Sequence, residues 1–133
     1  MASREEIDSA VKEAVTEALA LDEDEVTPEA TLMDELGAES IDLLDILFRI
    51  EKSVGVKIQA SDLGDHIQGG IPEEEFGDEN DVITSKGLEH LKKVMPQIDV
   101  AELEGNLKAD EVISHFTVQN LSDMVAGRAG VAA

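Results

Sequence analysis

Apolar positions near the start of the chain recur at helical spacing. Ile7, Val11, Ala14, Val15, Ala18 and Leu19 share one face, which predicts a first helix over about Arg4 to Leu21. Ser3-Arg-Glu-Glu6 ahead of it has the form of a capping box, with the serine oxygen and the Glu6 carboxylate serving first-turn amides. An acidic connection, Asp22 to Gly37, follows, with Val26 and Leu32 as its inward anchors and Thr27-Pro28 favouring an extended or turn start. A second helix is predicted from Ser40 to Val54. At about 100° per residue, Leu43, Ile46, Leu47, Ile50 and Val54 fall in one stripe facing a core. A second apolar set, Ile41, Leu44 and Phe48, is centred roughly 130° away, with Asp42 and Asp45 beside it. One buried stripe satisfies a helix of this kind, so the second points to a docking surface or to a wall against something carried inside.

Beyond Gly55-Val-Lys-Ile58 the pattern weakens. Gln59 to Ser85 contains eight acids, no lysine or arginine, and Gly69-Gly70, and is read as a partly mobile loop. Further helices are predicted from about Asp81 to Val94, ended by Met95-Pro96, and from Asp99 onward. Asp110 is placed to cap a short turn holding Val112, Ile113 and Phe116. The last helix begins at Thr117, carries Val118, Leu121, Met124 and Val125 on one face, and is expected to stop at Gly127. No alternating strand pattern or internal repeat appears, so the fold class is all-α.

Composition narrows the functions. The 133 residues carry 31 acids and 10 bases, a net charge of −21, with no cysteine, tryptophan or tyrosine. Disulfide scaffolds, thiolate metal sites and cysteine nucleophiles are excluded. Such a charge disfavours nucleic acid and anionic membrane surfaces and favours basic protein partners. Met1-Ala-Ser-Arg-Glu-Glu6 has no apolar signal region, and Ile41 to Ile50 is too short and too charged to span a bilayer. The expectation is a cytoplasmic protein with no integral membrane segment.

Catalytic readings find little support. His66, His90 and His115 lie far apart and none has a ligand spacing. Neither Asp22-Glu-Asp24 nor Asp78-Glu-Asn-Asp81 continues as a calcium loop, and Gly69-Gly70 lacks the lysine of a phosphate cradle. No catalytic residue and no metal ligand is assigned. Ser40 stands where a glycine turn becomes the second helix. An N-cap serine is the ordinary reading of that place, although Leu43 cannot close a capping box with it. The same position suits a covalently attached phosphate, because helix-end amides and the macrodipole stabilise an anion.

The segment Asp34-Glu-Leu-Gly-Ala-Glu-Ser-Ile-Asp42 resembles the 4′-phosphopantetheine attachment motif of acyl carrier proteins. The likeness continues through Leu43-Leu-Asp-Ile-Leu-Phe-Arg-Ile-Glu-Lys52 and Gly55-Val-Lys-Ile58, upstream through Val26-Thr-Pro-Glu-Ala-Thr-Leu32, and at Thr117-Val-Gln119. It covers about residues 4–58 and 114–127. The resemblance implies a four-helix bundle in a single domain over 1–127, with a helical insertion at about 61–113 and a flexible tail at 128–133. It implies 4′-phosphopantetheine on Ser40, placed there from coenzyme A by a phosphopantetheinyl transferase, and a terminal thiol that carries acyl groups as thioesters. A cysteine-free chain thus borrows its sulfur. The chain itself would be non-catalytic. Partner docking maps onto Glu39, Ile41, Asp42, Leu44, Asp45, Phe48 and Glu51, which would meet basic patches on acyl-loading and acyl-transferring enzymes. The carrier is expected to be a monomer.

Glu39 replaces the family's usual Asp, Ile41 its Leu, and Gln59 a common proline. Residues 61–113 stand where the family has one short helix, and two helices with an acidic loop fit there; they would extend the core, enlarge an acyl cleft or add a docking surface. The run Leu-Leu-Asp-Ile-Leu-Phe also resembles carriers that deliver very long acyl chains to lipid A. Two other readings share these residues: an acidic helical interaction module that is never modified, and a carrier of aminoacyl or other non-fatty groups.

Overall fold

A computed structural model describes residues 3–130, with the side chains of Ser40 and Ala60 excepted. Among these the chain forms α1 (Arg4–Leu19), α2 (Ser40–Val54), α3 (Ala60–Gln68), α4 (Glu73–Phe76), α5 (Ser85–Val94), α6 (Val100–Leu103) and α7 (Val118–Ala129), with 3-10 turns at Glu23–Glu25 and Ala109–His115. No strand occurs among the described residues, only isolated bridges such as Thr31 with Thr117. The all-α expectation holds.

α1 packs against α2 and α7. Ser3 caps α1 as its sequence predicts: Glu6 N–H donates to Ser3 Oγ (3.2 Å) and Ser3 N–H to Glu6 Oε1 (3.4 Å). Ile7, Ala10, Val11, Ala14 and Val15 form its buried face, and left-handed Ala20 ends it two residues earlier than the pattern predicted. α2 has its predicted limits and buries Ile46, Leu47 and Ile50. α7 begins behind Thr117 and runs through Gly127 to Ala129. Gly130, at φ +76°, is the stop, because the helix needs its left-handed residue only where the buried stripe is finished. Residues 131–133 of the expected tail lie outside the described residues, and 128–129 are helical.

The region read as an acidic loop holds two helices, α3 and α4, which bury Leu63 and Phe76. Their apolar periods are too short to register against glycines and acids. Between residues 61 and 113 the structure therefore places four helices rather than two. α5 starts at Ser85, because Asp81 takes a positive φ (63°) and Thr84 is the cap. Gly87 lets α5 close on Phe76: a Cβ there would sit 2.7 Å from the Phe76 carbonyl oxygen. Met95 ends α5 and Asp99 caps α6, both as predicted. Asp110 lies inside the second 3-10 turn, whose entry is instead closed by Lys108 N–H on Glu111 Oε1 (3.0 Å).

One buried apolar cluster runs from Ile7 through Ile46, Leu63, Phe76 and Leu91 to Phe116 and Val125. Two of the polar stitches that join α7 to residues before it lie near its ends. Arg128 reaches Asp62 (3.3 Å) at the far end of α7. At its near end, buried Asn120 accepts from Gln97 Nε2 (2.7 Å) and from Thr117 N–H (3.0 Å), and donates to Gln97 Oε1 (3.2 Å). The His66 ring meets the edge of Phe116 with centroids 6.5 Å apart. α3 thus touches the end of α7 through Asp62 and the residue ahead of Thr117 through His66, while the helices it packs on are α5 and α2.

Candidate functional site

The chain entering α2 is pinned from several sides. Val26, Ala30, Leu32 and Ala38 are buried. Leu32 N–H donates to Phe116 O (3.1 Å), Val118 N–H to Ala30 O (3.0 Å) and Gln119 N–H to Pro28 O (2.9 Å), so the loop is tied to the start of α7. Gly37, at φ +75°, turns the chain, and Ala38 N–H returns to Leu32 O (2.9 Å). The N-cap of α2 is Glu39, whose N–H donates to Asp42 Oδ2 (2.9 Å). Ser40 is the first helical residue. The N-cap reading of Ser40 is thereby corrected, since the capping bond belongs to the Glu39–Asp42 pair.

A phosphate ester fits this place. Gly37, Glu39 and Ile41 around Ser40 are exposed, leaving room for a long substituent, and α2 contributes the favourable end of its dipole, worth about 0.3–1 kcal/mol to an anion. The Ser40 side chain itself lies outside the described atoms.

Behind Ser40, the second apolar stripe faces solvent: Ile41 is 71%, Phe48 56% and Leu44 53% exposed, and these are the large exposed hydrophobics of the described residues. The carboxylates beside them differ in freedom. Among the described residues, exposed Glu39 makes no ion pair and half-buried Glu51 makes none. Asp42 holds the cap. Asp45 pairs with Arg49 (3.1 Å), which also reaches Glu17 on α1 (2.9 Å). Lys52 Nζ stands 5.2 Å from the Phe48 ring centroid. The stripe thus has acids at its start and cations at its end. Sequence reading missed Arg49 and Lys52, although Asp45-x-x-x-Arg49 and Phe48-x-x-x-Lys52 are the spacing at which helical neighbours meet.

Histidines remote in sequence come together elsewhere: His90 Nε2 lies 3.0 Å from His66 O. Burial, then the neighbouring His90 charge, holds the His66 imidazole below its usual pKa, with Asp123 opposing, and His66 Nε2 is buried without a hydrogen-bond partner. Among the described residues no group of three or more histidines and carboxylates is placed to hold a metal ion. No described helix is long and apolar enough to cross a membrane.

The family profile described as "Phosphopantetheine attachment site" matches residues 9–67, from α1 through nearly all of α3. The chain is 52% identical over 63 residues to the acyl carrier protein of Thermotoga maritima, which covers 47% of this chain and 78% of that one. The chain belongs to the acyl carrier protein family. It is also 37% identical over 67 residues to the acyl carrier protein AcpXL of Brucella melitensis, covering 50% of this chain and 72% of that one. The acyl carrier protein of Rubrobacter xylanophilus matches at 40% over 55 residues, 41% of this chain and 68% of that one. Membership makes this a non-catalytic carrier with a covalently attached 4′-phosphopantetheine, served by enzymes that attach the group and load it. α3 falls largely inside the matched segment, which ends at residue 67, within the stretch of about 61–113 expected as an insertion.

Proposed function

We propose that Ser40 is the attachment residue and that Ile41, Leu44 and Phe48 are the apolar centre onto which partner enzymes dock. The observation that carries this is the start of α2: the serine of the attachment motif opens the very helix whose next turns leave three large apolar side chains in solvent. In attachment, the Ser40 hydroxyl oxygen bonds to the phosphorus that bears pantetheine in coenzyme A. The diphosphate bond breaks, 3′,5′-adenosine bisphosphate leaves, and the hydroxyl proton passes to a base on the transferase. When bound, the group supplies a thiol that holds acyl chains as thioesters. The protein's own part is positional. The loop tied to α7 fixes the height of Ser40, Asp42 keeps the first turn closed through Glu39, and Glu39, Asp45 and Glu51 steer basic partners while the apolar strip sets how long they stay.

The cargo is read as a long acyl chain used in lipid biosynthesis, of the lipid A kind; the run after Ser40 and the similarity to AcpXL support it. The chain is read as one domain over 1–127 with its insertion at about 61–113, on the strength of an apolar core that both parts share, and the carrier reading makes it monomeric and cytoplasmic. Incubation with coenzyme A and a phosphopantetheinyl transferase should raise the intact mass by one phosphopantetheine. No gain, or a gain that persists in Ser40→Ala, overturns the assignment; thioester mass spectrometry from the native cell tests the cargo.

A further inference from the structure

We infer that the region after α3 carries a second docking cleft, separate from α2, which takes a basic segment of a partner protein anchored by an apolar side chain. A cleft of about 520 Å³ opens between α3, α4 and the second 3-10 turn. Its floor is apolar, with Phe76 and Val112 buried and Ile67 half-buried. Its lining also includes the acidic residues Glu73, Glu74, Asp78 and Asp81, all exposed, and none of the four is in an ion pair among the described residues. Asp78 turns one oxygen, Oδ1, to the amides of Asn80 (2.8 Å) and Val82 (3.1 Å) and keeps the other free. Compensation is available close by, since the adjacent Glu75 is paired with Lys86 at 2.8 Å. Like charges left facing one opening are repulsive until a cation enters.

Charge decides the occupant. A neutral acyl tail would fill the floor and leave the carboxylates unpaired, and a bare polyamine would leave the floor exposed. A segment with lysine or arginine flanking a leucine or phenylalanine satisfies both. The volume suits one or two side chains entering an open cleft, and fast, salt-sensitive encounter follows from the charge.

The test uses the full-length, arm-bearing carrier and three dye-labelled peptides of equal length: lysine–leucine, lysine–serine and glutamate–leucine. The lysine–leucine peptide should bind, shifting amide resonances of residues 64–81 and 109–113. Gly64 lines the cleft, and a Cβ on it would meet open space. Gly64→Leu therefore fills the cleft at unchanged charge and should weaken binding by about tenfold or more, while Phe48→Ala leaves it intact. Glu73→Gln with Glu74→Gln should weaken it as well, which keeps the test open if Gly64→Leu does not fold. Equal binding of the lysine–serine peptide, indifference to Gly64→Leu, or shifts confined to α2 overturns the cleft without touching the assignment of Ser40.

Discussion

The bundle of α1, α2 and α7 and the stretch from Gly69 to His115 are built to different rules. The bundle uses helices of 16, 15 and 12 residues, each long enough to show a clean apolar face. The stretch uses helices of 4, 10 and 4 residues, isolated bridges and side-chain stitches. Their surfaces are inverted as well. On α2 apolar groups stand out in solvent with acids at the edge, whereas in the later stretch acids stand out above an apolar floor. A helix long enough to bury one stripe can spare another for partners. Short elements must turn every apolar side chain inward, which leaves recognition to charge.

Perturbations of the shared core test whether the two regions stand or fall together. Phe116→Ala removes a fully buried ring from the core cluster that both regions share and should lower stability by about 3–5 kcal/mol. Chemical denaturation should still show one transition, whereas two transitions would separate the regions. Leu91→Ala, in α5, should cost about 2–5 kcal/mol and lower the melting temperature of α1 and α7 signals equally. Asn120→Ala breaks the amide pair with Gln97 and leaves the buried Thr117 N–H without its acceptor, for about 1–3 kcal/mol; hydrogen exchange should quicken first around Gln97 and Thr117.

Acidity gives a smaller, directional effect. The folded protein holds His66 below its ordinary pKa of 6.5, so the unfolded chain binds that proton more readily. The contribution is complete above that value and is lost as pH falls from there through the lowered folded value. Melting temperature measured downward from pH 7.5 should fall less steeply in His66→Phe than in the parent. An unchanged slope would refute the linkage. Smallest of all in stability is Leu44→Ala with Phe48→Ala, within about 0.5 kcal/mol because both are exposed, yet acyl transfer by partner enzymes should slow clearly. Unchanged transfer would deny the strip its docking role.

Much of this was written in the residues. The second stripe on α2 was legible because 15 residues give enough turns to resolve two faces, and the exposures of Ile41, Leu44 and Phe48 agree with it. α3 was not, because nine residues offer only Leu63 and Ile67 among acids and glycine, and the decisive burial comes from α5, distant in sequence. The acids misled in a consistent way. Asp42, Asp62 and Glu111 each accept the amide three residues before them, as only Glu6 was expected to, so carboxylates that look like surplus charge are closing helix ends. The rotation of α2 places Asp45 near the strip, but only the structure shows its charge already shared with Arg49.

The meeting of His66 with Phe116 has a topological consequence. Residues 67–115 leave the bundle and come back within one ring contact of their departure. Closing a loop that starts and ends at the same place grows costlier by only about 0.6 kcal/mol for each doubling of its length. The excursion therefore sits at a point where chain can be lengthened at little closure cost, provided the side chains it lends to the shared core are kept.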